Sequence, residues 1–137
     1  MNNKQSIYQH SMKVRDYECD AQGIVNNANY QHYYEVARHE FLEEHQLNFY
    51  ELHEQGIDAV VVSVYIRYKH SLRGGNDFIC TIDSLEKEGI RYIFHQKIVR
   101  LKDNKVCSTA KIEVACMTNG KVGKPDIFDK AFDKYMQ

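Results

Sequence analysis

The second half of the chain is four strand-length runs separated by turns too short to hold a helix, and that spacing limits the fold more than any other feature. Val60, Val62, Val64, Ile66 and Tyr68 fall on one parity and Val61, Ser63, Tyr65, Arg67 and Lys69 on the other, which predicts a long strand with one drier face. Arg73, Gly74, Gly75 and Asn76 then turn the chain into strand-like runs over 77–85, 91–101 and 106–117. Lys87, Glu88 and Gly89 separate the first two of these, and Asp103 with Asn104 marks a hairpin before the last. Connections this short join antiparallel neighbours and leave no room for helical crossovers. Rossmann and P-loop architectures are excluded, and their phosphate loops are absent too, because Gly74 and Gly75 form a pair between strands.

Ahead of these runs the period differs. Ile7 to Tyr17 alternates like a half-buried strand, with Tyr8, His10, Met12 and Val14 on one side. From about Asn27 to His45, Tyr30, Tyr34, Ala37 and Phe41 recur at helical spacing with Tyr33 beside them, and no Pro or Gly interrupts. One long helix is predicted, its aromatic stripe serving as core. Asn48 and Glu51 have capping-box spacing, Leu47 and Leu52 are placed for a hydrophobic staple, and Gly56 ends the short helix that should run to about Gln55. After Gly120 and Gly123, Pro125 and Asp126 precede an amphipathic terminal helix carrying Phe128, Ala131, Phe132 and Tyr135. Physical pattern alone thus gives an α+β class.

Composition narrows the function. The 137 residues are the size of one domain and bury roughly two-thirds of their unfolded surface. The 18 basic and 19 acidic side chains leave a formal net charge of −1, so no global field draws the protein to nucleic acid or an anionic membrane. The segment Met1 to Gln9 is polar, unlike a signal peptide, and no apolar run reaches the length of a membrane span, so the cytoplasm is the expected setting. Cys19, Cys80, Cys107 and Cys116 form no C-x-x-C pair, which argues for reduced thiols and against a zinc ribbon; Cys19, next to Asp20, is the one whose reactivity merits testing, although a passive packing role is the favoured reading and it is not the expected nucleophile. His39 and His45 are six apart and His32 and His39 seven, neither matching a zinc-protease helix, and no metal is expected. No G-x-S-x-G elbow is present.

The stretch that carries chemistry runs from Asp20 through Gly23, Val25, Asn26, Asn27, Ala28 and Asn29 to Tyr30. It sets a carboxylate just before a helix start, with Gly23 allowing the turn between them. A carboxylate serves as base or nucleophile, and unpaired N–H groups at a helix N-terminus stabilise an oxyanion. A turn-capping Asp reads the same way from spacing alone.

Continued by Tyr33, Tyr34, Glu35, Ala37 and Arg38, this run resembles the signature of the 4-hydroxybenzoyl-CoA thioesterase family of hotdog-fold acyl-CoA thioesterases. The resemblance implies a five-stranded antiparallel sheet wrapped around the long helix, with a short second helix and a C-terminal helix. It makes residues 1–137 one hotdog domain, with its core over about 7–118 and a helical extension over about 125–136. Two subunits would share active sites at their interface, as a homodimer or a homotetramer, with no cofactor. Asp20 takes the catalytic role, by direct attack or by activating water, and the backbone N–H of Asn27 takes the oxyanion, a role compatible with a plain N-cap at that residue. Some family members carry His at the position of Asn27, and many with a V-N-N run carry His at that of Ile24, so a side-chain imidazole is missing here. Gly23 and Tyr30 are expected beside the substrate. Arg67, Lys69 and Arg73 either hold coenzyme A phosphates or form a solvated face. Glu35 is expected to be structural, within ion-pair reach of Arg38.

The implied activity is hydrolysis of an acyl thioester, on coenzyme A or on acyl carrier protein, to a carboxylic acid and a free thiol. Two rivals stand beside it. A hotdog dehydratase or hydratase lacks its helix-borne His here, and a non-catalytic acyl-thioester binding module would bind coenzyme A without turnover.

Overall fold

The computed structural model describes residues 6–123 and 126–136. The element order is β1 (Tyr8–Lys13), a single 3-10 turn (Asp16–Glu18), α1 (Asn27–Glu44), α2 (Phe49–Glu54), β2 (Ile57–Tyr68), β3 (Asp77–Glu88), β4 (Arg91–Arg100), β5 (Lys105–Thr118), β6 (Lys121–Val122), α3 (Asp126–Phe132) and a last 3-10 turn (Asp133–Tyr135). Five long strands lie in the order β1-β3-β4-β5-β2, every pairing antiparallel, with the two-residue β6 added to the end of β5. This is the hotdog arrangement expected, a sheet wrapped around one long helix. The short β6 was not anticipated, although Asn119 and Gly120, both at positive φ, give the Asn-Gly hairpin signal that announces it.

The core lies between α1 and the concave face of the sheet. Tyr34, Ala37 and Phe41 are fully buried against Phe78, Cys80, Ile82, Ile98 and Ile112, so the aromatic stripe is packing. The Tyr34 hydroxyl donates to Ser108 Oγ at 2.7 Å, which satisfies the polar atom that this residue carries into the core. Phe128 and Phe132 of α3 close the far end of the core, Phe132 packing on Phe41, Tyr92 and Phe94. Pro125, the expected start signal of that helix, lies outside the described residues, as do Met1 to Gln5.

Several boundaries differ from the sequence pattern for identifiable reasons. β1 stops at Lys13, short of Tyr17, because the Arg15 N–H donates to the Glu18 carboxylate at 2.7 Å and bends the chain into the 3-10 turn. The N-cap of α1 is Asn26, whose side chain accepts from Ala28 N at 2.9 Å; Asn27 is the first helical residue. Asn48 caps α2 through Tyr50 N and Glu51 N, with Leu47 and Leu52 buried as the staple, and the helix ends one residue before Gln55.

β2 departs most from its pattern. A bulge between Val61 and Ser63 interrupts the alternation, and the strand is an edge. Val60, Val61, Val62 and Val64 are 36–45% exposed across both parities, so no drier face exists in the single chain. An apolar twelve-residue edge of this kind is a template for pairing with another strand.

Arg38 is the other departure. It forms no ion pair with Glu35 and turns into the core, 5% exposed, where Nη1 donates to Gln96 Oε1 at 3.0 Å. The Gln96 amide in turn donates to the Tyr34 carbonyl at 3.2 Å.

Candidate active site

The loop from Cys19 to Asn26 is held on both sides before α1 begins. Val25 N donates to Leu72 O at 2.9 Å, and short bridges join Cys19 to Val25 and Ile24 to Arg73. Asn26 N and the Asn29 side chain both donate to the Glu18 carbonyl, at 3.1 and 2.8 Å. The Glu18 carboxylate also accepts from the Tyr33 hydroxyl at 2.8 Å, and burial, with that bond adding to it, pushes the Tyr33 hydroxyl well above its ordinary pKa. The helix start is therefore tied to the 3-10 turn and to the chain after β2.

Within this loop, Asp20 Oδ1 accepts from Gln22 N at 2.8 Å and from Ile24 N at 3.4 Å. Oδ2 has no hydrogen-bond partner among the described residues, and the side chain is exposed. The carboxylate is thus oriented by one oxygen while the other stays free. Gly23 makes the turn at φ +77°, which a side chain would strain. As the first residue of α1, Asn27 has an N–H without an intrahelical acceptor, so a donor at the positive end of an eighteen-residue helix remains available. What this pair of groups offers chemically is a base or nucleophile and an oxyanion donor, joined by a constrained loop.

A cavity of about 150 Å³ opens at the helix start, lined by Asn27, Tyr30, Tyr68, Lys69, His70 and Ser71 among others. Tyr30 forms its wall. Its buried hydroxyl accepts from Leu72 N at 3.0 Å, its ring meets Tyr68 edge-on with centroids 5.1 Å apart, and burial raises its pKa. Arg100 Nη1 donates to Ser71 O at 2.9 Å and fixes the cavity floor, while Asp103 grips the same guanidinium, which lowers the Asp103 pKa to about 2.

The expected residues distribute unevenly around this centre. Asn27, Tyr30 and Lys69 share the cavity. Gly23 and Arg73 sit across the bridge that joins the loop to the chain after β2, and Asp20 lies on the exposed side of that loop. Arg67 is the outlier, because Ile66 and Tyr68 turn to the helix and Arg67 therefore points to the opposite face of the sheet. Tyr68, Ser71, Glu18 and Arg100 were not foreseen; the parity of Tyr68 within β2 was their one signal, since Ser71 acts through its carbonyl and the side chains of Glu18 and Arg100 find their partners only in the folded chain. A larger cavity of about 930 Å³, lined by Lys13, Arg15, Tyr17, His32 and Lys102 among others, opens on the other flank of α1 and shares the bonded pair Glu18 and Tyr33 with the loop's supports.

Three of the four thiols behave as packing groups. Burial raises the pKa of the Cys80 and Cys107 thiols and pushes Cys116 up to about 12, so these three are poor nucleophiles. The Cys19 sulfur leans on the Arg15 carbonyl at 3.8 Å. Among the described residues no group of three or more His, Cys, Asp or Glu side chains is placed to hold a metal ion, and no helix is long and apolar enough to cross a membrane.

Comparison with known proteins agrees with this geometry. The acyl-CoA thioesterase YbgC of Haemophilus influenzae is 34% identical over 125 residues, covering 88% of each chain. A chloroplastic acyl-acyl carrier protein thioesterase of Arabidopsis thaliana, ATL3, is 33% identical over 100 residues, which are 73% of this chain and 53% of that protein, so the match spans about half the plant relative. The solved structure of a Staphylococcus aureus protein in complex with CoA superposes with a TM-score of 0.86 at 18% identity, covering 96% of this chain and 84% of that one, and shares the fold. The family model described as the thioesterase-like superfamily matches residues 14–135, and the chain belongs to that superfamily.

Proposed function

We propose that this protein is an acyl-CoA thioesterase of the 4-hydroxybenzoyl-CoA thioesterase type, working as one domain over residues 1–137 in the cytoplasm. The class, thioester hydrolysis, comes with the superfamily and its thioesterase relatives. The observation that carries the finer reading is the free Oδ2 of Asp20 on a loop that leads directly into the open N–H of Asn27. With the thioester carbonyl oxygen facing Asn27 N–H, Asp20 either attacks the carbonyl carbon or takes a proton from a water that does. The tetrahedral oxyanion then collapses and expels the thiolate, which needs little acid assistance; the water route gives the carboxylic acid at once, whereas direct attack leaves a mixed anhydride on Asp20 that a water hydrolyses to the acid and the free carboxylate. Lys69 at the cavity and Arg73 beside the loop supply cations for the coenzyme A phosphates; Arg67 reaches the same nucleotide only from the sheet's other face.

The exposed edge of β2 is the surface for a second copy, pairing the two sheets and bringing each cavity to a seam between subunits, as a dimer or within a tetramer. YbgC is named for acyl-CoA and ATL3 for acyl carrier protein, and the local cations favour coenzyme A here. The backbone bonds to Asp20 Oδ1 also suit a non-catalytic binding module, in which Asp20 only shapes the turn. A thiol-release screen over aryl-CoA, straight-chain acyl-CoA and acyl carrier protein thioesters decides between them. Turnover of at least one series supports the enzyme, and saturable coenzyme A binding without turnover supports the module.

A further inference from the structure

Arg38 is a buried cation without a buried anion. Its side chain is 5% exposed, its one hydrogen bond goes to the neutral Gln96, and no carboxylate comes within 4.0 Å of it among the described residues. A desolvated guanidinium is costly unless an anion or several acceptors meet it, and four of its five N–H donors have none here. No fully buried side-chain nitrogen among the described residues lacks a partner, so the unbonded Nε and Nη2 each keep some contact with accessible space. Arg38 lines a small apolar pocket of about 20 Å³ against Tyr92 and Phe128, too small for a ligand, and a cleft of about 440 Å³ between α1, α2 and β2, walled by His39, Phe49, Ala59, Val60, Val61 and Val114. The walls are apolar apart from His39, whose ring packs on Phe49 with centroids 4.3 Å apart and whose proton affinity is lowered by burial. Glu35 stands on the rim, close enough to favour the charged form of Arg38 and not in contact with it.

The cleft also lies in line with the thioester site. Asn27 and Arg38 are eleven residues apart on one helix, which is three turns and about 16 Å along the axis. Asn27, Gln31 and Glu35, at successive four-residue steps, form an exposed stripe between the two cavities. β2 runs alongside it from Val60 at the cleft to Tyr68 at the other cavity. An acyl group whose thioester sits at Asn27 would cross this exposed stripe, alongside β2, to reach the guanidinium.

We propose that this cleft is a carboxylate-binding subsite, with Arg38 receiving the distal carboxylate of a dicarboxylic acyl thioester. The inference rests on the thioesterase reading above and adds its substrate class. The guanidinium fork matches a carboxylate in two parallel hydrogen bonds, and the dry walls strengthen them. The apolar walls accept the methylenes next to that carboxylate. Glu35 acts as a repulsive gate at the rim, so an entering carboxylate must displace it from the field of Arg38.

The test compares kcat/KM for monothioesters of coenzyme A with dicarboxylic acids, from succinyl to tetradecanedioyl, against monocarboxylic acyl-CoA of equal length. At one or two neighbouring lengths the dicarboxylic substrate should be preferred by roughly tenfold or more, the worth of one charge-assisted contact. Arg38→Gln should bring that ratio to one or below. Arg38→Lys, which keeps the charge and loses the fork, should lower it severalfold and stands in if the Gln variant does not fold. Glu35→Gln should raise it. A ratio at or below one at every length overturns the subsite while leaving the thioesterase intact. If no thioester is cleaved at all, the thioesterase reading fails, and calorimetric titration with free dicarboxylates then decides the subsite alone. Binding that Arg38→Lys weakens keeps it, and absence of binding overturns it.

Discussion

Tyr30→Phe probes the joint on which the site is built. The Tyr30 hydroxyl is the acceptor for Leu72 N–H at 3.0 Å, and the two residues are 3% and 0% exposed. Phenylalanine keeps the ring, its edge-on contact with Tyr68 and its place in the core, and removes one oxygen. Leu72 N–H is then left without its acceptor in a buried position, unless a water from the adjoining cavity takes the place of the oxygen and lowers the cost. Leaving a buried donor unpaired costs about 1–3 kcal/mol, and a central value near 2 is appropriate because the neighbouring Leu72 carbonyl stays bonded to Val25 N. For a chain of 137 residues roughly 3–5 °C is lost per kcal/mol, so the melting temperature should fall by roughly 6–10 °C. Circular dichroism melts at one fixed protein concentration give the number, since a dimer's stability depends on concentration. Hydrogen exchange locates it, with the Leu72 amide losing more protection than Ile98 in the core. A variant that melts within about 1 °C of the parent, with Leu72 still protected, would refute the claim that this bond anchors the chain after β2 to the helix start.

Three further perturbations follow from other parts of the structure. Asn26→Ala removes the cap on Ala28 N and should cost about 1 kcal/mol in denaturant unfolding, with a fall in kcat because the open N–H of Asn27 that meets the oxyanion is next to it; Asn27→Ala, which keeps that backbone donor, should change either far less. Val64→Lys on the exposed edge should shift sedimentation towards the monomer and lower thioester turnover, whereas an unchanged assembly would remove β2 from the interface. His39 should titrate below 6.5 by NMR because burial disfavours its charge, and His53 above 6.5 because Asp58 stabilises it at 2.7 Å. The signs oppose: His39 binds its proton more weakly when folded, so its contribution is full above pH 6.5 and is lost as pH falls, while that of His53 is full below 6.5 and is lost as pH rises through its folded pKa.

Local pattern was enough for the elements and not for their edges. The uninterrupted stripe of Tyr30, Tyr34, Ala37 and Phe41 specified α1 almost to the residue, because helical period and burial coincide there. β2 was misread on burial because alternation shows which side chains share a face and not whether anything covers it, and the bulge at Val62 then mixes the two faces. Arg38 was misread because spacing along a helix offers Glu35 as a partner, whereas the actual partner, Gln96, is fifty-eight residues away in sequence.

At the site, Asp20, Gly23 and Asn27 were legible since their roles come from a local turn and a helix start. Tyr68 and Ser71 were not, because they reach the cavity only through the pairing of β2 with β5 and the bond from Arg100. The split of the three expected cations has the same origin. Arg67 and Lys69 share a parity on paper, but the strand ends at Tyr68, and Lys69 leaves the pleat that keeps Arg67 on the outer face.

The central claim is that the free oxygen of Asp20 does chemistry and does not merely shape a turn, and Asp20→Asn addresses it directly. The amide oxygen still accepts from Gln22 N and Ile24 N, so the loop and the fold are kept, while the charge and basicity are gone. The measurement is kcat for thiol release from the best acyl-CoA substrate, beside the dissociation constant of that substrate. The account predicts a kcat lower by roughly a hundredfold or more with the dissociation constant little changed. A folded Asp20→Asn protein that hydrolyses the thioester at a near-normal rate would contradict it and leave Asp20 as a turn residue.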